Sequence, residues 1–159
     1  MDHTTEENIE RILRVYGNGL YRMCILMLGN AQDAEDAVQE TVIRYFRKAP
    51  QFENEAHEKA WLLRVASNLC RDMLRFRARH PQADVDSLHD LAAEQEESGI
   101  LEAMMTLPEK FRLVLHLHYV EECPVEQIAR IIGKTPSAVK MRLHKGRRLL
   151  AEVYRKEYL

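Results

Sequence analysis

The sequence predicts an all-α protein of two small helical domains joined by an acidic, flexible linker. Three observations carry this. Apolar residues recur at helical spacing over residues 6–28, 32–48 and about 58–79. Residues 80–98 hold Asp84, Asp86, Asp90, Glu94, Glu96 and Glu97 and no Lys or Arg, the composition of a tether. Beyond it, residues 124–150 write two short helices around one glycine.

In the first predicted helix the periodic residues are Ile9, Ile12, Leu13, Tyr16, Leu20, Met23, Cys24 and Met27. Gly17 and Gly19 are places where it could bend, and Gly29-Asn30 ends it. The second helix turns Ala34, Ala37, Val38, Thr41, Val42, Tyr45 and Phe46 inward. Its first half carries Asp33, Glu35, Asp36, Gln39 and Glu40, and its end carries Arg44, Arg47 and Lys48. That polarity complements the helix dipole. It also makes an acidic face suited to a basic partner. A loop over 49–57 leads to the third helix, with Trp61, Leu62, Val65, Ala66, Leu69, Met73 and Leu74 as its buried set. Lys59, Arg64, Arg71, Arg75, Arg77 and Arg79 are expected outside, with Asn68 between them.

After the tether, residues 100–105 open the second domain, and Leu107-Pro108 breaks and restarts the chain. A helix over 108–120 keeps Phe111, Val114, Leu115, Leu117 and one of His118 or Tyr119 on its apolar side. Pro124 then suits a first helical turn, where a missing N–H costs nothing. Val125, Ile128, Ala129 and Ile132 follow at helical spacing, and Gly133 can leave the helix left-handed. Thr135 can cap the next helix, with Pro136 at its first position. Val139, Leu143 and Leu150 face in; Ser137, Lys140, Met141, His144 and Lys145 face out. This is a helix-turn-helix pattern, whose second helix lies in the DNA major groove. From residue 133 onward eight Lys and Arg oppose only Glu152 and Glu157, as phosphate binding requires. A helical hairpin with a solvated basic face would share the periodicity, but not the agreement of turn chemistry with charge.

Net charge over the 159 residues is −2, so nucleic-acid binding has to come from local asymmetry. The longest apolar run, residues 23–28, is far short of the ~20 residues that span a membrane. The polar, acidic start MDHTTEENIE argues against a signal peptide, so the cytoplasm is expected. Cys24, Cys70 and Cys123 are odd in number and far apart, which points to buried thiols rather than disulfides. His116, His118 and Cys123 lie near one another, but their spacing is wrong for structural zinc, and no metal or other cofactor is expected. No catalytic triad or phosphate-binding glycine loop is written, and an enzyme is the least favoured class.

Two stretches taken together are distinctive: LYRMCILMLGNAQDAEDAVQETVIRYFRK continuing to KAWLLRVASNLCRDMLRFRAR, and LPEKFRLVLHLHYVEECPVEQIARIIGKTPSAVKMRLHKGRRLL. In order and spacing they resemble the extracytoplasmic-function (ECF) sigma factors of bacterial RNA polymerase, in the sigma-70 family. The resemblance implies a region 2-like helical bundle over residues 1–80, a linker over 81–99 and a region 4-like helix-turn-helix domain over 100–159. The implied activity is transcription initiation: the factor binds core polymerase, directs it to −10 and −35 promoter elements and assists melting. Asp36, Gln39 and Glu40 match positions that grip the β′ clamp helices, and the β subunit is a further contact. The −10 candidates are Asn54, His57, Lys59, Trp61, Arg64 and Asn68, with Trp61 largely structural. Glu55 and Glu58 stand where DNA would approach. The −35 candidates are Lys134, Ser137, Lys140, Met141, Arg142, His144 and Lys145. Arg142, Arg147 and Arg148 suit phosphate contacts or intramolecular pairs. An anti-sigma factor is the implied regulatory partner, with no membrane insertion. Two rival classes remain at this point: a dimeric helix-turn-helix regulator, and a protein-binding module with no DNA role.

Overall fold

A computed structural model describes residues 3–80 and 98–158. Among the described residues all regular structure is helical, with α1 (His3–Leu28), α2 (Ala31–Lys48), α3 (Glu55–Arg79), α4 (Ser98–Met105), α5 (Glu109–Tyr119), α6 (Val125–Ile132) and α7 (Pro136–Tyr158). The expected acidic linker lies outside the described residues. None of the described helices is long and apolar enough to cross a membrane.

The first half is a bundle of α1, α2 and α3, each packed on the other two. Gly29 takes φ 66° and turns the chain out of α1, and the Asn30 side chain accepts the Asp33 N–H at 2.9 Å to start α2. Ile12, Leu20, Met23 and Met27 of α1 are fully buried, as are Leu62 and Leu63 of α3. The third helix begins earlier than the pattern suggested. Asn54 accepts the His57 N–H at 2.8 Å, so the cap sits there and the loop ends before Glu55. The buried register of α3 is Glu58, Leu62, Leu63, Ala66, Ser67 and Cys70, with Trp61 and Leu69 only half-buried. Two expected inner residues, Leu13 and Phe46, are 44% and 37% exposed, because a stripe drawn from periodicity is wider than the face its neighbours cover. Arg77, expected outside, reaches back to donate to the Leu28 carbonyl at 2.6 Å and to Asp33, tying the ends of α1 and α3 to the start of α2.

Glu58 is the polar centre of this bundle. Its carboxylate accepts from both Arg11 Nη atoms at 3.1 and 2.9 Å, and from the Tyr16 and Tyr45 hydroxyls at 2.7 Å each. The expectation that Glu58 faces approaching DNA is therefore corrected: helix phase turns it inward, beneath the surface that Ala56 and His57 present.

In the second half α5 is nearly enclosed, packed on α1, α4, α6 and α7. Phe111, Leu113, Val114, Leu115, His116 and Leu117 are all buried, while Tyr119 is 55% exposed. The turn chemistry is as the residues predict. Gly133 adopts φ 69°, and Thr135 Oγ1 accepts the Ala138 N–H at 3.1 Å to open α7. A Cβ on Gly133 would meet nothing within 4 Å. Gly133→Ala is therefore expected to cost roughly 1–2 kcal/mol through backbone strain alone. Gly133→Asn should recover most of it, both read from the midpoint of urea unfolding.

The two halves pack on one another, α1 on α5 and α3 on α6. Arg112 joins them by donating to the Met105 and Met27 carbonyls, each at 3.1 Å. Ile131 is 1% exposed; periodicity passed over it because its cover comes from the other half of the chain. All three cysteines are buried free thiols.

Candidate nucleic-acid interface

The second helix of the turn has one buried and one exposed face. Val139 and Leu143 are buried against the rest of the domain, and the helical phase leaves Ser137, Lys140, Met141, His144 and Lys145 exposed. Lys134 is also exposed and Arg142 half-exposed. Met141 is 73% exposed. Gly146 is buried, and a Cβ there would stand 3.3 Å from Leu115 Cδ1, so α7 sits hard on α5 and the exposed set has a rigid base. Lys110 and Lys145 flank the Phe111 ring at 5.2 and 5.7 Å from its centroid. Arg147 donates to the Tyr119 hydroxyl at 2.9 Å, an intramolecular pair.

The expected −10 residues divide into two groups. Asn54, His57, Trp61 and Arg64 line one groove of about 700 Å³, whose opposite wall is Pro124, Gln127, Arg130 and Ile131 around α6. The Trp61 ring is held edge-on by Tyr45 and Phe52 at 6.1 and 6.0 Å, and Phe52 meets His57 at 5.2 Å. Phe52 is a member of this cluster that spacing does not reveal, because it comes from the loop. Lys59 points elsewhere, donating to the Glu121 carbonyl at 2.8 Å. Asn68 is exposed one turn beyond Arg64 and does not line the groove. Arg64 donates to the Arg130 carbonyl at 3.3 Å, so the groove is bridged by a contact between the two halves.

On α2, Asp36 and Gln39 are exposed and Glu40 half-buried. Asp36 accepts from Gln32 at 3.1 Å, and Glu40 pairs with Arg44 at 3.4 Å. Ile43 is 43% exposed on the same face as Gln39 and Asp36, one turn and two turns on. Asp36, Gln39 and Ile43 thus share one exposed face of α2.

A three-helix bundle packed on a helix-turn-helix whose second helix exposes Lys140, His144 and Lys145 has the form of a DNA-binding protein. Comparison with known families sharpens that class. Residues 12–80 match Sigma-70 region 2, and residues 98–150 match Sigma-70, region 4. ECF RNA polymerase sigma factor SigW of Bacillus subtilis is 29% identical, covering 91% of this chain and 87% of that protein. ECF RNA polymerase sigma factor SigE of Mycolicibacterium smegmatis is 28% identical over 95% of this chain and 63% of its own length. In fold, the chain is similar to the sigma factor RpoE of Bartonella quintana, crystallised in complex with the anti-sigma factor NepR, with a TM-score of 0.75 at 21% identity over 95% of this chain and 99% of that one. The chain belongs to the ECF group of the sigma-70 family, and is a promoter-specific transcription initiation factor.

Proposed function

We propose that the chain works as two domains, residues 1–80 and 100–159, which bind core polymerase and two promoter elements by separate surfaces. Asp36, Gln39 and Glu40, with the neighbouring Ile43, dock on the β′ clamp helices. Asn54, His57, Trp61, Arg64 and Asn68 form the −10 surface. Flipping a base costs a few kcal/mol and needs an aromatic-lined recess to receive it, which Phe52, His57 and Trp61 supply. Ser137, Lys140, Met141, His144 and Lys145 read the −35 element, with Lys134 and Arg142 at its margins. Lys59 is left as a domain-to-domain contact. The observation that carries the reading is the exposure of those five α7 residues over a tightly seated recognition helix.

The chain acts by binding, without bond chemistry, in the cytoplasm, and joins the nucleoid when carried by polymerase. An anti-sigma factor is its proposed regulator, as relatives such as RpoE are held by NepR. Run-off transcription with bacterial core polymerase, on DNA from upstream of this gene, tests the reading. A discrete transcript is expected. Asp36→Arg should abolish it, at least a tenfold loss, by placing a cation against a basic partner. Absence of a transcript together with failure to co-migrate with core polymerase would instead favour a stand-alone helix-turn-helix regulator.

A further inference from the structure

Phe52 comes from the loop between α2 and α3, and its neighbours Gln51 and Glu53 are exposed. No helix turn fixes such a residue, so its ring is held by what it touches. It stacks on Tyr45 at 6.0 Å with 19° between the planes, and meets Trp61 edge-on at 6.0 Å. Tyr45 also meets Trp61 at 6.1 Å, which closes a triangle of rings with its α2 corner at Tyr45. That corner is fixed by polar contacts. The Tyr45 hydroxyl donates to Glu58 Oε2 at 2.7 Å and accepts from Arg11 Nη2 at 3.3 Å. Arg11 binds both carboxylate oxygens and so fixes the carboxylate itself. A hydroxyl bound to an ionised carboxylate is held more strongly than one bound to a neutral acceptor. A ring held at its hydroxyl as well as at its Cβ keeps one tilt. Glu58 also secures the loop directly: its N–H donates to the Asn54 carbonyl at 3.1 Å, while His57 Nδ1 accepts the Glu53 N–H at 3.2 Å.

We propose that Glu58, with Arg11, is a positioning residue for the aromatic recess of Phe52, His57 and Trp61, acting through the Tyr45 hydroxyl and not by touching DNA. The buried carboxylate thus has two effects. It stabilises the bundle, and it orders the rings before any base arrives. An ordered recess binds more tightly, because the entropy of fixing its side chains is lost on folding and not on binding. That consequence for DNA rests on the −10 reading of the recess, whereas the ordering of the rings does not.

Tyr16 supplies a matched control. Its hydroxyl donates to the other oxygen of the same carboxylate at the same 2.7 Å, but Tyr45 carries the ring contacts to Phe52 and Trp61. Tyr16→Phe and Tyr45→Phe each delete one hydroxyl and keep the ring. Both should lower the urea midpoint by a similar amount, and neither should unfold the protein. Only Tyr45→Phe should loosen the recess. Trp61 is the chain's one tryptophan, so acrylamide quenching of the full chain reports on the recess itself. The quenching constant should rise roughly twofold in Tyr45→Phe, as local packing loosens, and stay at the wild-type value in Tyr16→Phe. For DNA, the probe is a random-sequence single-stranded pool enriched on wild-type holoenzyme, after removal of sequences that core polymerase retains alone. Holoenzyme carrying Tyr45→Phe should bind that pool at least about threefold more weakly, a fraction of what stacking on one base contributes. Holoenzyme carrying Tyr16→Phe should bind it as wild type does. Equal quenching and equal binding by the two variants would overturn the proposal, because a carboxylate that serves stability alone moves both variants together. A loosened Trp61 with unchanged binding would overturn the consequence for DNA. Undiminished binding by Trp61→Ala would instead refute the −10 reading of the recess, and the quenching comparison would still judge the positioning.

Discussion

Replacing Glu58 with Ala is expected to lower stability by about 2–4 kcal/mol, since removing one partner of a buried, hydrogen-bonded pair strands the others. Arg11, Tyr16 and Tyr45 would lose the acceptor on which all three converge. For a chain of this size that is a fall of roughly 5–15 °C in Tm. The pH dependence gives a sharper signature. Arg11 above all, with the Tyr45 and Tyr16 hydroxyls, holds the Glu58 carboxyl at about 2, below its ordinary 4.5, against the opposing effect of burial. A depressed carboxyl stabilises the fold above its unfolded pKa, and that stability is lost as pH falls through the folded value. The contribution is roughly 3 kcal/mol at neutral pH, fully present above about pH 4.5 and gone near pH 2. Urea unfolding of wild type and Glu58→Gln from pH 7 to pH 2 checks this. The gap between them should hold down to about pH 4.5 and narrow below it. A gap that does not change with pH would show that the carboxylate charge contributes nothing.

The second large effect is expected at the recognition helix. Lys140 and Lys145 are exposed on α7, one on either side of Met141 and His144 in sequence. Reversing both charges, Lys140→Glu with Lys145→Glu, should weaken binding of the polymerase holoenzyme to a promoter carrying its −35 element by at least 100-fold. A base contact and a phosphate contact are each worth about 1–3 kcal/mol, and the reversal adds repulsion from the DNA backbone. The single variants separate the two roles. A lysine on guanine should relax preference at one base pair when replaced by alanine. A lysine on phosphate should weaken all sequences alike and lower the salt slope by about 1. Binding measured over a salt series with wild-type and single-base-changed −35 elements decides between them, and unchanged binding by the double variant would remove α7 from the DNA-reading account. Both side chains are exposed, and the one buried group either meets is the Phe111 ring beside Lys145, so the fold should tolerate both.

Much of this protein is written locally. Pro124, Gly133, Thr135 and Pro136 determined the helix-turn-helix by themselves, because caps and left-handed turns are decided within four residues. The outward set of Ser137, Lys140, Met141, His144 and Lys145 followed from helical phase once Val139 and Leu143 were placed inside. The acidic face of α2 was equally legible, since Asp36 and Gln39 needed only the periodicity of one helix. Other features waited on the tertiary structure. Glu58 reads as a surface carboxylate until Arg11, 47 residues away, is seen to bind it. Gly19 reads as a helix defect until Glu121, which also pairs with Arg22 across 99 residues, is found against it. Ile131 and His116 are buried by helices from both halves, so no single stripe predicts them. Phe46 and Leu13 err the other way, apolar at the right spacing but left uncovered. The division has one physical reason. Backbone propensity, capping and helical phase act over one or two turns, whereas the cover and the charge partners of a buried group come from wherever the fold brings another helix.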